Sequence, residues 1–246
     1  SLADPVHPSG FLRAPLAGGK ARAALALLLL VPFPSLGVAA SMFWWPGSVL
    51  GQALFVLGKV WVVLLPLAWL FWVEQGRVGW SPPRLGGFGT AVLLGLVLAA
   101  FILLAYGVVH RLGWIDPGQV ADRARQTGLG RFGVYLGGAV YWITLNSLME
   151  EYVWRWFCFR QCEVLFGGIG GVFAAAAGFT LHHVIALAAQ FSWPLTLAAS
   201  FGVFCAGAIW SWLYLRYRSI WPCYVSHAIA DVPIFLVGYW LIFGAA

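Results

Sequence analysis

Eight titratable residues stand inside apolar stretches of this chain, and their types are those of acid–base chemistry. They are Glu150, Glu151, Arg155, His182, His183, His227, Asp231 and, apart from the rest, Lys59. A carboxylate in hydrocarbon costs roughly 2.5 kcal/mol or more, so an intramembrane acid marks a functional site by default. On a helix Asn146, Glu150 and Trp154 share one face, while Glu151 and Arg155 share the next. An acid four residues before a base is placed to pair with it. This spacing divides the glutamates: Arg155 neutralises Glu151, and Glu150 is left for chemistry. Phe179 and His183 stand one turn apart, as do His227 and Asp231. A carboxylate and imidazoles brought together can activate water as a general base and stabilise the charge that develops. His182 points roughly 100° around the helix from His183 and reads as structural. Lys59 reads as a snorkelling side chain or a structural hydrogen-bond donor.

Such residues need elements that place them at one level. The chain has 246 residues, of which 62% are hydrophobic and 9% charged. Soluble domains carry about 25% charged residues, so the composition points to a polytopic helical membrane protein. A β-barrel would alternate polar and apolar residues over ~10-residue segments. Here continuous apolar runs span about 21–45, 49–73, 88–109, 132–163, 168–190, 195–215 and 220–243. We expect an all-α bundle of about seven to eight spans forming one membrane domain, 1–246. The N-terminal helices, 1–131, have no assigned role, and the catalytic site falls in the C-terminal helices, 132–243. The run from Arg131 to Glu163 is too long for one simple span and must tilt or project.

Glu150 lies ten residues before Arg160, and His227 nine after Arg218. At 1.5 Å per residue both sit on the order of 10 Å below that boundary. A common depth is not required of unrelated packing residues and argues for a shared site. Arg13, Lys20 and Arg22 place the N-terminus in the cytoplasm by the positive-inside rule, with Arg77, Arg84, Arg155, Arg160, Arg216 and Arg218 on the same side. The stretch Ala23–Val31 and the residues Val38-Ala-Ala40 imitate a signal peptide, but in a multi-spanning chain they read as the first transmembrane helix. The polar segment 110–131, with a short helix expected near Pro117, carries Arg111, Arg123, Arg125 and Arg131. Alternation puts it outside, against the charge rule; it is either re-entrant or the sign of a miscounted span.

The net charge of +6 is explained by helix ends and loops, so no nucleic-acid partner is expected. Cys158, Cys162, Cys205 and Cys223 contain no CxxC pair, which leaves a redox or zinc motif without support. HExxH is absent as well.

Three motifs resemble those of the CPBP family, the intramembrane glutamic proteases related to type II CAAX prenyl endopeptidases. Glu150-Glu151-x-x-x-Arg155 resembles its EExxxR, Phe179-Thr-Leu-His-His183 its FxxxH, and His227-Ala-Ile-Ala-Asp231 its HxxxN with Asp in place of Asn. The resemblance covers about residues 132–235. It departs at Trp156, where Gly often follows the arginine, and at Asp231. It implies an intramembrane endopeptidase in which Glu150 activates water with His183, while His227 and Asp231 support the oxyanion or Asp231 orients His227. Glu151, Arg155, Asn146 and Phe179 are supporting residues. No metal or other cofactor is expected; zinc held by Glu and His is the lesser alternative. The expected substrate is a membrane-associated protein or peptide, lipidated or not. The expected location is the bacterial plasma membrane, with the site open toward the cytoplasmic leaflet. A non-catalytic scaffold or immunity-type protein on the same fold, and an ion-coupled transporter, are the competing classes.

Overall fold

A computed structural model describes residues 19–244. The described chain is a helical bundle: α1 Gly19–Trp44, α2 Val49–Val73, α3 Phe88–Arg111, α5 Phe132–Ala188, α6 Trp193–Tyr217 and α7 Ile220–Phe243 are each long and apolar enough to cross a membrane. A shorter helix, α4, runs over Pro117–Gln126. Local sequence sets several starts. The Ser48 hydroxyl accepts from the Gly51 amide at 3.0 Å ahead of α2. Asp116 accepts from the Gly118 amide at 2.8 Å ahead of α4, whose Pro117 sits where no amide donor is needed. Short polar side chains of this kind satisfy amides that a helix start leaves without partners.

Helix α5 positions most of the site. It is one continuous stretch until Gly167, where the backbone leaves helical geometry at φ 76° and ψ 178°. That conformation is essentially reserved for glycine, and the chain turns back there. Phe179 on the return arm accordingly lies against Trp154 on the outgoing arm, with ring centroids 5.7 Å apart. Six helices with one folded back give seven crossings among the described residues, matching the seven apolar runs. The long run ending at Glu163 thus extends only to the turn. The outgoing arm also contains two π-helical stretches, Trp142–Asn146 and Tyr152–Phe159, on either side of Ser147–Glu151. Such wide turns are rare and frequently mark functional sites.

Polar pairs mark one end of the bundle. Arg160 reaches Glu74 at 3.5 Å, and Arg218 grips Glu163 with two contacts of 2.8 Å. Segment 110–131 lies at the other end, where Arg123 donates to the Gln190 carbonyl at 3.1 Å. The segment forms a loop that carries α4, and Arg125 pairs within it with Asp122 at 2.6 Å. Lys20 and Arg22 begin α1; Arg13 lies outside the described residues. The stretch that imitates a signal peptide is built into the bundle, with Ala23, Ala26 and Leu30 buried.

The bundle packs through small residues and leaves large apolar ones outside. Gly207 of α6 brings its backbone against Ala176 and Phe179 of the return arm. Gly95 of α3 does the same against Ser226 of α7. Small residues allow this close approach where lipid offers helices no hydrophobic drive to associate. Leu93, Leu96, Val97, Phe101 and Leu104 of α3 face outward, as the side chains of a helix solvated by acyl chains do.

Candidate active site

Glu150 is the seventeenth residue before Gly167 and His183 the sixteenth after it. A hairpin folded at Gly167 sets them level, and α7 adds His227 and Asp231. The four residues proposed from sequence for chemistry therefore meet. Ligand-bearing atoms of Glu150, His182 and His183 lie within 4.8 Å of one another. His227 Nε2 is 3.7 Å from Glu150 Oε2 and 3.8 Å from Asp231 Oδ2.

The two glutamates have separate surroundings. Glu151 is fully buried. Its Oε2 lies 3.3 Å from Arg155 Nε, and its Oε1 is 2.7 Å from His227 Nδ1. An ionised carboxylate only accepts, so Nδ1 is the donor and Nε2 turns toward Glu150. The Arg155 contact is ionic rather than hydrogen-bonded, since neither Nε nor Glu151 Oε2 has a hydrogen-bond partner. Arg155 instead gains from aromatic faces: its guanidinium lies 4.7 Å from the Phe179 ring centre and 5.1 Å from that of Trp210. Cation–π attraction strengthens when the cation is desolvated. Trp210 also stacks on His227 with centroids 3.8 Å apart. Phe179 thus packs Arg155, His183 and Trp154 together.

Glu150 faces a cavity of about 60 Å³ lined by residues of α1, α2 and α5, among them Pro34, Phe55, Lys59, Asn146 and His182. Space on this scale admits water. Asn146 Nδ2 donates to Glu150 Oε1 at 2.8 Å, and Lys59 Nζ donates to Asn146 Oδ1 at 2.8 Å. The amide is read unambiguously, because lysine can only donate and an ionised carboxylate only accept. His183 Nδ1 lies 2.9 Å from the Phe179 carbonyl. A carbonyl accepts, so Nδ1 carries the proton and Nε2 keeps a lone pair.

Asp231 does not hold His227 in place; Glu151 does. Asp231 Oδ2 is bonded instead to Ser147 Oγ at 2.7 Å, while the same hydroxyl reaches the Trp142 carbonyl at 2.8 Å. That carbonyl belongs to a π-helical turn, which presents it to a side chain. Ser147 and Trp210 are not legible in the sequence as site residues, whereas Lys59 is the structural hydrogen-bond donor expected of it. Ser147 carries no signal in an apolar run. Lys59 sits 87 residues from Asn146, with only its charge to mark it. His182, a structural residue by its position on the helix, does stack on Trp154, 5.4 Å away and nearly parallel, yet it also borders the cavity. Trp156, which departs from the family pattern, is buried and stacks on Tyr152 at 5.3 Å.

Residues 132–233 match the model of the family described as Type II CAAX prenyl endopeptidase Rce1-like. No curated protein and no solved structure matches the chain. The matched stretch holds every candidate residue of α5 and α7, whereas Lys59 and the α1 and α2 walls of the cavity lie outside it.

Proposed function

Because residues 132–233 are Rce1-like, a family of CAAX-type intramembrane proteases, we propose that this chain is an intramembrane endopeptidase of the glutamic type. Glu150 takes a proton from a water in the cavity, and the resulting hydroxide attacks the peptide carbonyl. His183 Nε2, within the same cluster, shares the proton and delivers it to the leaving amine. His227, protonated on both ring nitrogens, keeps its Nδ1–H on Glu151 and donates from Nε2 to the oxyanion. Donors fixed in advance in a dry site stabilise such charge at little cost of reorganisation. Asp231 and Ser147 form the floor beneath His227. The supporting set is Asn146 on Glu150, Glu151 and Arg155 behind His227, and Phe179 beneath His183. No metal or other cofactor enters this mechanism.

The observation that carries this reading is the split of the glutamate pair. One carboxylate is locked between Arg155 and His227; the other faces the cavity beside His183. A purely structural pair would have no reason to leave one member lining a cavity. The cavity lies among apolar helices, which suits a membrane-associated protein or peptide, lipidated or not. With Lys20, Arg22, Arg77, Arg84, Arg160, Arg216 and Arg218 at one end, the positive-inside rule sets that end and the N-terminus in the cytoplasm, and opens the site to the cytoplasmic leaflet of a bacterial plasma membrane.

The test compares the membrane proteome of cells carrying wild type with that of cells carrying Glu150→Gln or His183→Ala. Uncleaved precursors should accumulate in both variants while each protein remains folded and inserted. Unchanged processing in Glu150→Gln would sink the proposal.

A further inference from the structure

We infer that Glu150, His182 and His183 form a three-ligand site for a divalent transition cation of the zinc class, and that filling it silences the peptidase centre. The three residues offer one carboxylate oxygen and two imidazole nitrogens within 4.8 Å of one another. Zinc takes such ligands at about 2.0–2.2 Å and, where three come from protein, leaves a fourth position to water. Glu150 and His182 line a cavity that can supply that water. Imidazole and carboxylate together suit zinc and its first-row neighbours rather than calcium or magnesium.

Two further features point to a ligand. His183 Nδ1 is tied to the Phe179 carbonyl at 2.9 Å, and Asn146 donates to Glu150 at 2.8 Å. Outer contacts of this kind fix the tautomer of a ligating histidine and the aim of a ligating carboxylate. His182 Nδ1 is buried without any hydrogen-bond partner, an orphan that calls for an explanation. The stack on Trp154 and the 4.2 Å separation of the two imidazoles hold His182 beside His183 despite their adjacency in sequence.

Lys59 opposes the cation. Its ammonium is one amide away from Glu150, so it repels a second positive charge. The site therefore fills when metal is supplied and empties when it is withdrawn. An ion there occupies the carboxylate and the His183 lone pair that water activation needs. The inhibitory consequence rests on the proposed peptidase reading; the binding does not.

The experiment uses the full chain in detergent, purified without a histidine tag. Co²⁺ is titrated by visible absorption and then displaced with Zn²⁺. Wild type should take one ion per chain. His182→Phe keeps the stack on Trp154 but removes a ligand. It should weaken binding by more than the roughly 10–100-fold that loss of an outer contact costs. His182→Cys, which restores a ligand, should recover it, and Lys59→Met should tighten it. No Co²⁺ binding by wild type, or equal binding by wild type and His182→Phe, overturns the site. Full cleavage at Zn²⁺ concentrations that saturate the titration overturns its inhibitory role. Absence of any peptidase activity would count against the proposed function alone, since the titration still decides the site.

Discussion

His227 Nδ1 and Glu151 Oε1 stand 2.7 Å apart across 76 residues of sequence, and this contact gives the second glutamate its purpose. Glu151 accepts the Nδ1–H of His227 and fixes the aim of the ring, while Arg155 balances the charge of Glu151 from the other side. Glu151→Gln should therefore lower turnover by about 10²-fold or more, the scale on which a misplaced acid–base group acts, with little change in substrate affinity. Single-turnover cleavage measured beside binding separates the two.

Stability should respond differently to losing one partner and losing both. Arg155 and Glu151 are fully buried, and removing one member of such a pair costs about 3–5 kcal/mol because the other charge is left alone. Arg155→Met and Glu151→Met should each destabilise the protein by about that much. The double variant should lose far less than the sum. Reversible unfolding in mixed micelles gives the three values, and additive losses would contradict the pairing.

Lys59 reaches Glu150 by hydrogen bonds through Asn146, and its charge also acts on the carboxylate through space. Hydrogen bonds to charged groups contribute about 1.5–3 kcal/mol, so Lys59→Met should slow cleavage by about 10–100-fold. Asn146→Ala should do at least as much. Combining them should cost less than the sum, because the hydrogen-bonded route from the lysine to the carboxylate runs through the amide that Asn146→Ala already removes. A double-mutant cycle on cleavage rates checks this.

Asp231 shares a single serine proton with a carbonyl. Ser147 Oγ faces both Asp231 Oδ2 and the Trp142 oxygen, and one hydroxyl proton cannot serve both fully. An amide at 231 can donate to Ser147 and free that proton for the carbonyl. Asp231→Asn should thus retain activity within about tenfold and raise the unfolding midpoint, whereas Asp231→Ala should lose both. Inactivity of the asparagine variant would show that a carboxylate is needed there.

Two glycines far from the chemistry should matter to it. A Cβ at Gly95 would meet the Ser226 carbonyl at 2.9 Å and its Cα at 3.1 Å, pushing away the helix that carries His227. Gly95→Ala should reduce cleavage although it touches no group of the site. Gly167→Ala forces φ of 76° on a residue that resists it, at a cost of about 1–3 kcal/mol. Thermal unfolding of Gly167→Ala and cleavage by Gly95→Ala are the measurements.

The sequence by itself determined the solvent, the spans and the titratable cluster. Seven apolar runs are visible because lipid requires uninterrupted apolar length. The acids and histidines stand out because charge in hydrocarbon is rare and costly. Helical spacing also separates Glu150 from Glu151, since steps of four fix faces within one helix.

Tertiary structure decided what spacing along one helix cannot. The fold at Gly167 makes a hairpin of two runs, and that hairpin sets Glu150 beside His183. Which carboxylate His227 would meet depended on how α7 lies against α5; it met Glu151 through Nδ1 and left its nearer sequence neighbour Asp231 to Ser147. Lys59 and His182 joined the site for the same reason. Neither carries a local pattern, because contacts between helices are set by packing angle and rotation rather than by periodicity.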